Sequence, residues 1–233
     1  MRHLFLVLTL FVASLTGALQ AQTNATLVEL YTSQGCSSCP PADSMMQQLA
    51  ARDDVIALAL HVDYWDYLGW TDDMADPSYT RRQQNYARRA GSATVYTPQM
   101  VIGGVDHVVG SKPMQVMDRI QAHNVAPDPV ALRLELRGDV LTIHANAVRG
   151  TARKDTVVQL VRYAPLISRD IRRGENAGRT IDYANVVTSW QVAGHWNTAA
   201  PLEMQARVTG DAPLVVIVQD GTDGPVLAAA QLR

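Results

Sequence analysis

Two cysteines in 233 residues are too few for a scaffold stapled by several disulfides, and too few for a four-thiolate zinc site. Charge of one sign is also scarce. With 20 Lys and Arg against 22 Asp and Glu, the net charge is −2, so there is no basic excess of the kind that holds nucleic acid, and no such partner is expected. Long apolar runs are missing too. The run from Leu4 to Leu15 is too short to cross a bilayer comfortably, and no other segment is apolar enough to act as a membrane anchor. The composition carries no signature of disorder either. At 47% hydrophobic, the chain has material for one large or two small domains with ordinary cores.

Arg2, the apolar run behind it and the small residues Gly17, Ala18 and Ala21 form the pattern of a secretory signal peptide over residues 1–21. Cleavage is expected after Ala21, which places the mature chain in a bacterial periplasm or outside the cell.

The two cysteines sit together in the stretch Leu27 to Ala51, LVELYTSQGCSSCPPADSMMQQLAA. Leu27 to Thr32 reads as a strand, and Met45, Met46, Leu49 and Ala50 have the spacing of one helical face. Pro40 and Pro41 fit only the first helical turn, so the helix is expected to begin near Ser38. Cys36 then lies at a helix N-terminus, where partial positive charge favours a thiolate, and it is the expected nucleophile. Cys39, one turn on, is placed to close a disulfide onto Cys36 and release what Cys36 has captured. As a structural staple the pair would do little. A cross-link contributes about 3 kcal/mol only when it closes a loop of roughly fifteen residues, and this one spans two serines. Two cysteines also fall short of the four ligands that zinc takes. No resident metal or cofactor is expected.

Beyond the motif, Val55 to Val62 is an apolar run typical of a strand buried on both faces, and strand, helix, strand implies a parallel crossover. An aromatic loop follows, Asp63 to Asp73. Asp76 and Pro77 open a second helix that Gly91 closes, with Arg81, Arg82, Arg88 and Arg89 read as a solvated face or an anionic-partner site. Thr97-Pro98 leads into a hairpin, Gln99 to Ile102 and Val105 to Val109, turned by Gly103-Gly104. Ser111 is the expected cap of a last helix with Pro113 in its first turn. His61, at the end of the second strand, is either a core histidine or a neighbour of the cysteines.

Leu27 to about Asn124 thus resembles a thioredoxin fold. The resemblance implies a cis Pro98 lying against the C-x-x-C, with the backbone at Thr97 pairing with an extended substrate. It also implies a buried acid that assists proton transfer, and Glu29 matches it when one residue is allowed for in the loop. Ser37-Ser38 stands in place of the usual Gly-Pro, and no tryptophan precedes Cys36. The two hydroxyls can hydrogen-bond the Cys36 thiolate or simply start a helix. The wording VELYTSQGCSSCPPAD is more similar to DUF1223, a family of exported bacterial proteins classed as a domain of unknown function, over nearly the whole mature chain.

Residues 125–129 read as a proline-punctuated linker, and beyond it the periodicity becomes that of strands. Val130, Leu132, Leu134 and Leu136 alternate with polar residues, and Gly138-Asp139 turns the chain into Leu141, Ile143 and Ala145. Further strands are expected at Thr156 to Tyr163, Val186 to Trp196, Leu202 to Val208, Leu214 to Val218 and Val226 to Leu232. The expected fold is therefore an α/β thioredoxin-like domain, 22–124, followed by an all-β sandwich-like domain, 130–233. The longest irregular stretch, Ile167 to Asp182, has turn chemistry at Gly174, Asn176 and Gly178 and a basic character from Arg172, Arg173 and Arg179 around Glu175. It is either a functional loop or a solvated excursion.

Three functions fit these residues. The first is an exported thiol-disulfide oxidoreductase whose partners are thiols or disulfides of exported proteins, with a membrane redox partner as a further candidate. The second is a Cu(I) metallochaperone holding the ion between two thiolates. The third is an interaction module with an inert cysteine pair.

Overall fold

The computed structural model describes residues 19–20, 25–148, 150 and 153–233; the expected signal peptide, apart from Leu19–Gln20, lies outside the described residues. The chain begins with β1 (Leu19–Gln20), β2 (Thr26–Thr32), α1 (Pro40–Ala50) and β3 (Val55–His61). It continues through α2 (Pro77–Arg89), the hairpin β4 (Gln99–Ile102) and β5 (Asp106–Val109), and α3 (Pro113–Val125). The order from β2 to α3 follows the apolar periodicity. Strand β3 runs parallel to β2, with Leu30 opposite Ala59, as the strand, helix, strand sequence requires.

Local punctuation explains the helix boundaries. Asp76 accepts a hydrogen bond from the Ser78 amide at 2.7 Å and Pro77 opens α2. Gly91, at φ +72°, ends it in a conformation that favours glycine. In α3 the cap position falls on Lys112, one residue later than the expected Ser111, because Pro113 fixes where the helical turn starts.

The second half is almost entirely strand: β6 (Val130–Arg137), β7 (Val140–Ala147), β8 (Thr156–Ile171), β9 (Arg179–Trp196), β10 (Leu202–Arg207), β11 (Leu214–Asp220) and β12 (Val226–Leu232). These strands do not form a separate sandwich. Ala59 of β3 pairs with Val186 of β9, so eight strands make one mixed sheet in the order β12-β11-β8-β9-β3-β2-β4-β5. The fold expected from sequence, a thioredoxin-like domain followed by a sandwich-like domain, is corrected accordingly: the described residues form a mostly β structure with three α-helices and one large sheet crossing both halves. The physical reason lies in β3. Every one of its residues is buried, so it needs a paired neighbour on each side as well as a covered face above and below, and β9 supplies the neighbour that β2 does not. The apolar layer under α2 crosses the join: Leu27, Tyr31, Ile56, Leu58 and Leu60 pack with Val161, Tyr163, Val187, Val215 and Ile217.

A smaller sheet, β1-β6-β7-β10, covers the far end. Its inward residues Leu132, Leu134, Leu141 and Ile143 pack against Val158, Leu160, Val216 and Leu227 of the large sheet. On the opposite side of the join, α1 and α3 cover Val28, Leu30, Ala57 and Ala59. The stretch Ile167 to Asp182 is mostly strand rather than loop. Ser168 pairs with Asp182 and Ile171 with Arg179, so only residues 172–178 form the tip of a long β8-β9 hairpin.

Candidate functional site: the Cys36–Cys39 pair

Two prolines fix the site. Because Pro40 and Pro41 occupy the first turn of α1, Cys39 becomes its cap residue and Cys36 lies just outside the helix. The Cys36 amide donates to Ser33 O at 3.1 Å and the Cys39 amide to Cys36 O at 3.2 Å, closing a tight turn in which the two cysteines form a disulfide, Cα–Cα 5.4 Å. Both are buried, while Ser37 and Ser38 between them are exposed. The same prolines remove two of the amides that a helix start would offer to a thiolate. The Ser38 hydroxyl stands in their place. Its Oγ lies 3.4 Å from Cys36 Sγ and 3.4 Å from Thr97 O, to which it can donate.

Thr97 and Pro98 are brought to this site. Their peptide bond is cis, and Thr97 Oγ1 accepts from the Trp65 indole at 2.7 Å. Pro98 flanks Gly110, which in turn packs on Ala42 in the first turn of α1. A side chain at Gly110 would meet Ala42 Cβ at 3.0 Å and Pro98 Cβ at 3.2 Å, so any larger residue would press these segments apart.

Glu29 is not brought to the cysteines. Strand residues alternate faces, and Glu29 shares the α2 side with Leu27 and Tyr31, whereas Thr32 points to the α1 side. Arg82 Nε donates to Glu29 Oε1 at 2.7 Å, and the Tyr86 hydroxyl donates to Oε2 at 2.7 Å. Arg82 also reaches Gln219 Oε1 and lies over the Trp190 ring at 4.0 Å. Arg82 is therefore no part of a solvated arginine face: it is buried in a network that ties β2 and α2 to β9 and β11.

The acid on the α1 side is Asp43, four residues after Cys39 and hence on the same helical face. Its Oδ1 accepts from Thr32 Oγ1 at 2.8 Å, and Oδ2 has no hydrogen-bond partner among the described residues. Burial pushes its pKa up to about 7, against the opposing pull of His61 and of the Thr32 hydrogen bond. His61 belongs to this same buried cluster: Nδ1 is 2.7 Å from Asp72 Oδ2, and its ring meets that of Tyr183 edge-on at 4.8 Å. Burial raises the Asp72 pKa, but the charge and hydrogen bond of His61 and the amides of Gln34 and Met74 outweigh it and hold the carboxyl below its ordinary value.

Asp72 in turn fixes the loop in front of Cys36. It accepts from the Gln34 amide and from Gln34 Nε2, both at 2.8 Å. The hairpin tip closes over the same loop. Asn176 Nδ2 donates to Gln34 O and Cys36 O, each at 2.9 Å, and Glu175 Oε2 accepts from the Ser37 amide at 3.3 Å.

The model of a family described as protein of unknown function (DUF1223) matches residues 27–219. The chain belongs to that family. No curated protein matches it. It is similar in structure to Protein AGR_C_4864 from Agrobacterium tumefaciens, with 30% identity and a TM-score of 0.75 over 89% of this chain and 93% of the other. HBP35 of Porphyromonas gingivalis shares the fold at 13% identity, with a TM-score of 0.60 over 90% of this chain and 75% of the other.

In this DUF1223 chain, sequence reasoning found Cys36, Cys39, Ser38, Thr97 and Pro98 as neighbours but missed Asp43, Asp72, Gln34 and Asn176. Asp43 left a signal. It is a carboxylate flanked by Ala42 and Met46 on the face of α1 that must be buried. Asn176 left only its turn propensity, which does not say what the turn touches.

Proposed function

We propose that this chain is an exported thiol-disulfide oxidoreductase acting in the periplasm or outside the cell on thiols or disulfides of exported proteins. The observation that carries the reading is the Cys36–Cys39 pair set at the start of α1, with a hydroxyl beside Cys36 and a buried, titratable carboxyl one turn after Cys39. In the oxidised form a partner thiolate attacks Cys36 Sγ. The Cys36–Cys39 bond breaks, and Cys39 departs with the electron pair and takes up a proton, for which Asp43 is the nearest buried acid in sequence. A second partner thiolate then attacks the partner sulfur of the mixed disulfide and releases Cys36 as a thiolate. The partner loses two electrons and the cysteine pair gains them; the reverse sequence reduces a partner disulfide.

Redox titration and an exchange assay of the mature chain test this reading. Cys36 of the reduced protein should alkylate faster than Cys39, and the pair should exchange with a model disulfide without added metal. A Cys39→Ser variant, unable to resolve the mixed disulfide, should accumulate covalent complexes with exported proteins. Failure to exchange, together with tight stoichiometric retention of Cu(I), would instead identify a metallochaperone.

A further inference from the structure

One buried polar cluster beside the cysteines keeps several atoms without partners. Of the six buried side-chain oxygens and nitrogens that lack a hydrogen-bond partner among the described residues, three lie here: Asp43 Oδ2, His61 Nε2 and the Tyr183 hydroxyl. All three side chains are buried. The network on the other face of β2 has no such gap, since Glu29, Arg82, Tyr86 and Gln219 bond one another. Buried polar atoms are ordinarily paired, so a group of unpaired ones around a titrating acid points to atoms that change partners as the site works.

The strands bring these atoms to one place. Thr32 of β2 and His61 of β3 are register partners, and paired residues of neighbouring strands share a face, so His61 lies on the α1 side with Thr32, whose hydroxyl donates to Asp43 Oδ1 at 2.8 Å. That bond leaves Oδ2 as the oxygen that carries the Asp43 proton. The loop after β3 supplies Asp72, 2.7 Å from His61 Nδ1, and β9 supplies Tyr183, whose ring centre is 4.8 Å from that of His61. Asp72, held below its ordinary pKa, is ionised at neutral pH and only accepts, so Nδ1 carries the hydrogen of that bond and Nε2 is the nitrogen left to gain or lose one. Burial, and after it the charges of Asp43, Asp72 and Asp73, push the Tyr183 hydroxyl up, so it stays neutral. Asp72 also accepts from the Gln34 amide and side chain, two residues before Cys36, and one carboxylate thus sets both the histidine and the cysteine loop.

Resting on the thiol-disulfide reading above, we propose that His61 is a positioning residue of this site, whose Nε2 becomes the partner of Asp43 Oδ2 once Asp43 has given its proton to Cys39. A partner thiolate attacks Cys36 Sγ, the Cys36–Cys39 bond breaks, and Cys39 leaves with the electron pair. Asp43 passes its Oδ2 proton to Cys39 Sγ. The carboxylate left behind is buried, and of the titratable groups that face it, His61 from β3, Asp72 from the following loop and Tyr183 from β9, only His61 can offer positive charge. A proton from water taken up on Nε2 makes His61 an imidazolium held between Asp72 and Asp43. The cluster then has the same net charge before and after the step, and the reverse reaction returns both protons.

The test uses the oxidised mature full-length protein, with 2-mercaptoethanol as the reductant and the rate constant expressed per reductant thiolate. In the wild type that constant should fall on the order of tenfold as Asp43 ionises, with its midpoint at about pH 7. His61→Phe keeps a ring beside Tyr183 and removes both nitrogens, whereas His61→Gln restores one neutral donor. The midpoint should rise by about one pH unit in His61→Phe and by less in His61→Gln, because the positive pull on Asp43 is gone. Asp43→Asn should show no step, and adding His61→Phe to it should leave the profile unchanged, since His61 acts through Asp43. The carbon-13 signal of the Asp43 carboxyl reports the same midpoint on folded protein alone. A midpoint that stays in place in both His61 variants overturns the proposal, as does a profile that His61→Phe changes in the Asp43→Asn background. If neither His61 variant folds, the ring nitrogen-15 shifts of the oxidised wild type decide: hydrogen on Nδ1 is expected, and a neutral ring with its hydrogen on Nε2 overturns the proposal. Reduction by 2-mercaptoethanol without an Asp43 step overturns the role of His61 and leaves the oxidoreductase reading standing. No reduction at any pH overturns both.

Discussion

The two faces of β2 each bury a carboxylate, and the two are held in opposite ways. On the α2 face, Glu29 receives Arg82 and Tyr86 together, so its charge is matched and its oxygens are occupied. On the α1 face, Asp43 receives one hydroxyl, from Thr32, and keeps an unpartnered oxygen. A buried charge that is fully paired is a structural tie, whereas one that is underpaired drifts towards its neutral form and titrates where an enzyme can use it. The face that joins the two halves carries the tie, and the face with the cysteines carries the titrating acid. Under the proposed function, that division gives Glu29 the role of holding the fold and Asp43 that of the proton-exchanging acid near the cysteines.

The largest expected effect breaks the tie. Arg82→Met leaves Glu29 buried without its cation and also removes the guanidinium bonds to Gln219 and to Thr222 O. It should cost about 3–5 kcal/mol in urea unfolding, and adding Glu29→Gln should recover much of that loss. Because the network spans β2, α2 and β11, wild type and variant should each unfold in one transition. A loss below about 1 kcal/mol, or two separated transitions, would show that Glu29 and Arg82 do not join the halves.

The second prediction sharpens the Asp43 side. Its ordinary pKa is 3.8 and its folded value about 7, so between those pH values the native state keeps a proton that the unfolded chain has lost. The native state binds more protons, and its stability therefore falls as pH rises from about 4 to about 7 and levels off above. The limit of that loss is about 4 kcal/mol. Asp72, held below its ordinary value, acts in the opposite sense and only at lower pH. Asp43→Asn should accordingly gain stability relative to wild type between pH 5 and pH 8 while its exchange rate loses pH dependence in the same window. Parallel stability curves for the two proteins would mean that Asp43 is not the titrating group.

Much of this arrangement is legible in the sequence, and the limits are physical. Pro40-Pro41, Asp76-Pro77 and Gly103-Gly104 specify local geometry by sterics alone, which is why α1, α2 and the β4-β5 hairpin fall where expected. The arms of β8 and β9 beyond Leu166 and before Tyr183 are exposed at most positions, so the alternation that marks a half-buried strand is weak there and Ser168, Arg169 and Asp170 read as loop. The Ala59 to Val186 pairing that unites the halves is a contact across more than a hundred residues, and local pattern does not encode it. What the sequence does show is the consequence, a β3 with no polar face. Asp43 stayed hidden because a helix is scanned for its apolar stripe, and a single carboxylate within that stripe reads as a break in it.

The smallest effect concerns the hydroxyl beside Cys36. Since Pro40 and Pro41 have no amide hydrogens, a Cys36 thiolate has the Ser38 hydroxyl as its near donor, at a separation of 3.4 Å in the oxidised form. That hydroxyl carries one hydrogen and can serve either Cys36 Sγ or Thr97 O, so its contribution to the thiolate is shared with the Thr97-Pro98 turn. Ser38→Ala should raise the Cys36 pKa by about 0.5–1, which corresponds to roughly 1 kcal/mol, and slow alkylation at pH 7 about three- to tenfold. Ser37, whose amide is taken by Glu175, offers the matching control, and Ser37→Ala should shift the pH profile much less. Measured as alkylation rate against pH on the reduced protein, equal shifts for the two variants would return the thiolate to the field of α1 itself. A shift confined to Ser38→Ala would show that, in this chain, the residues between the cysteines replace amides that the prolines remove.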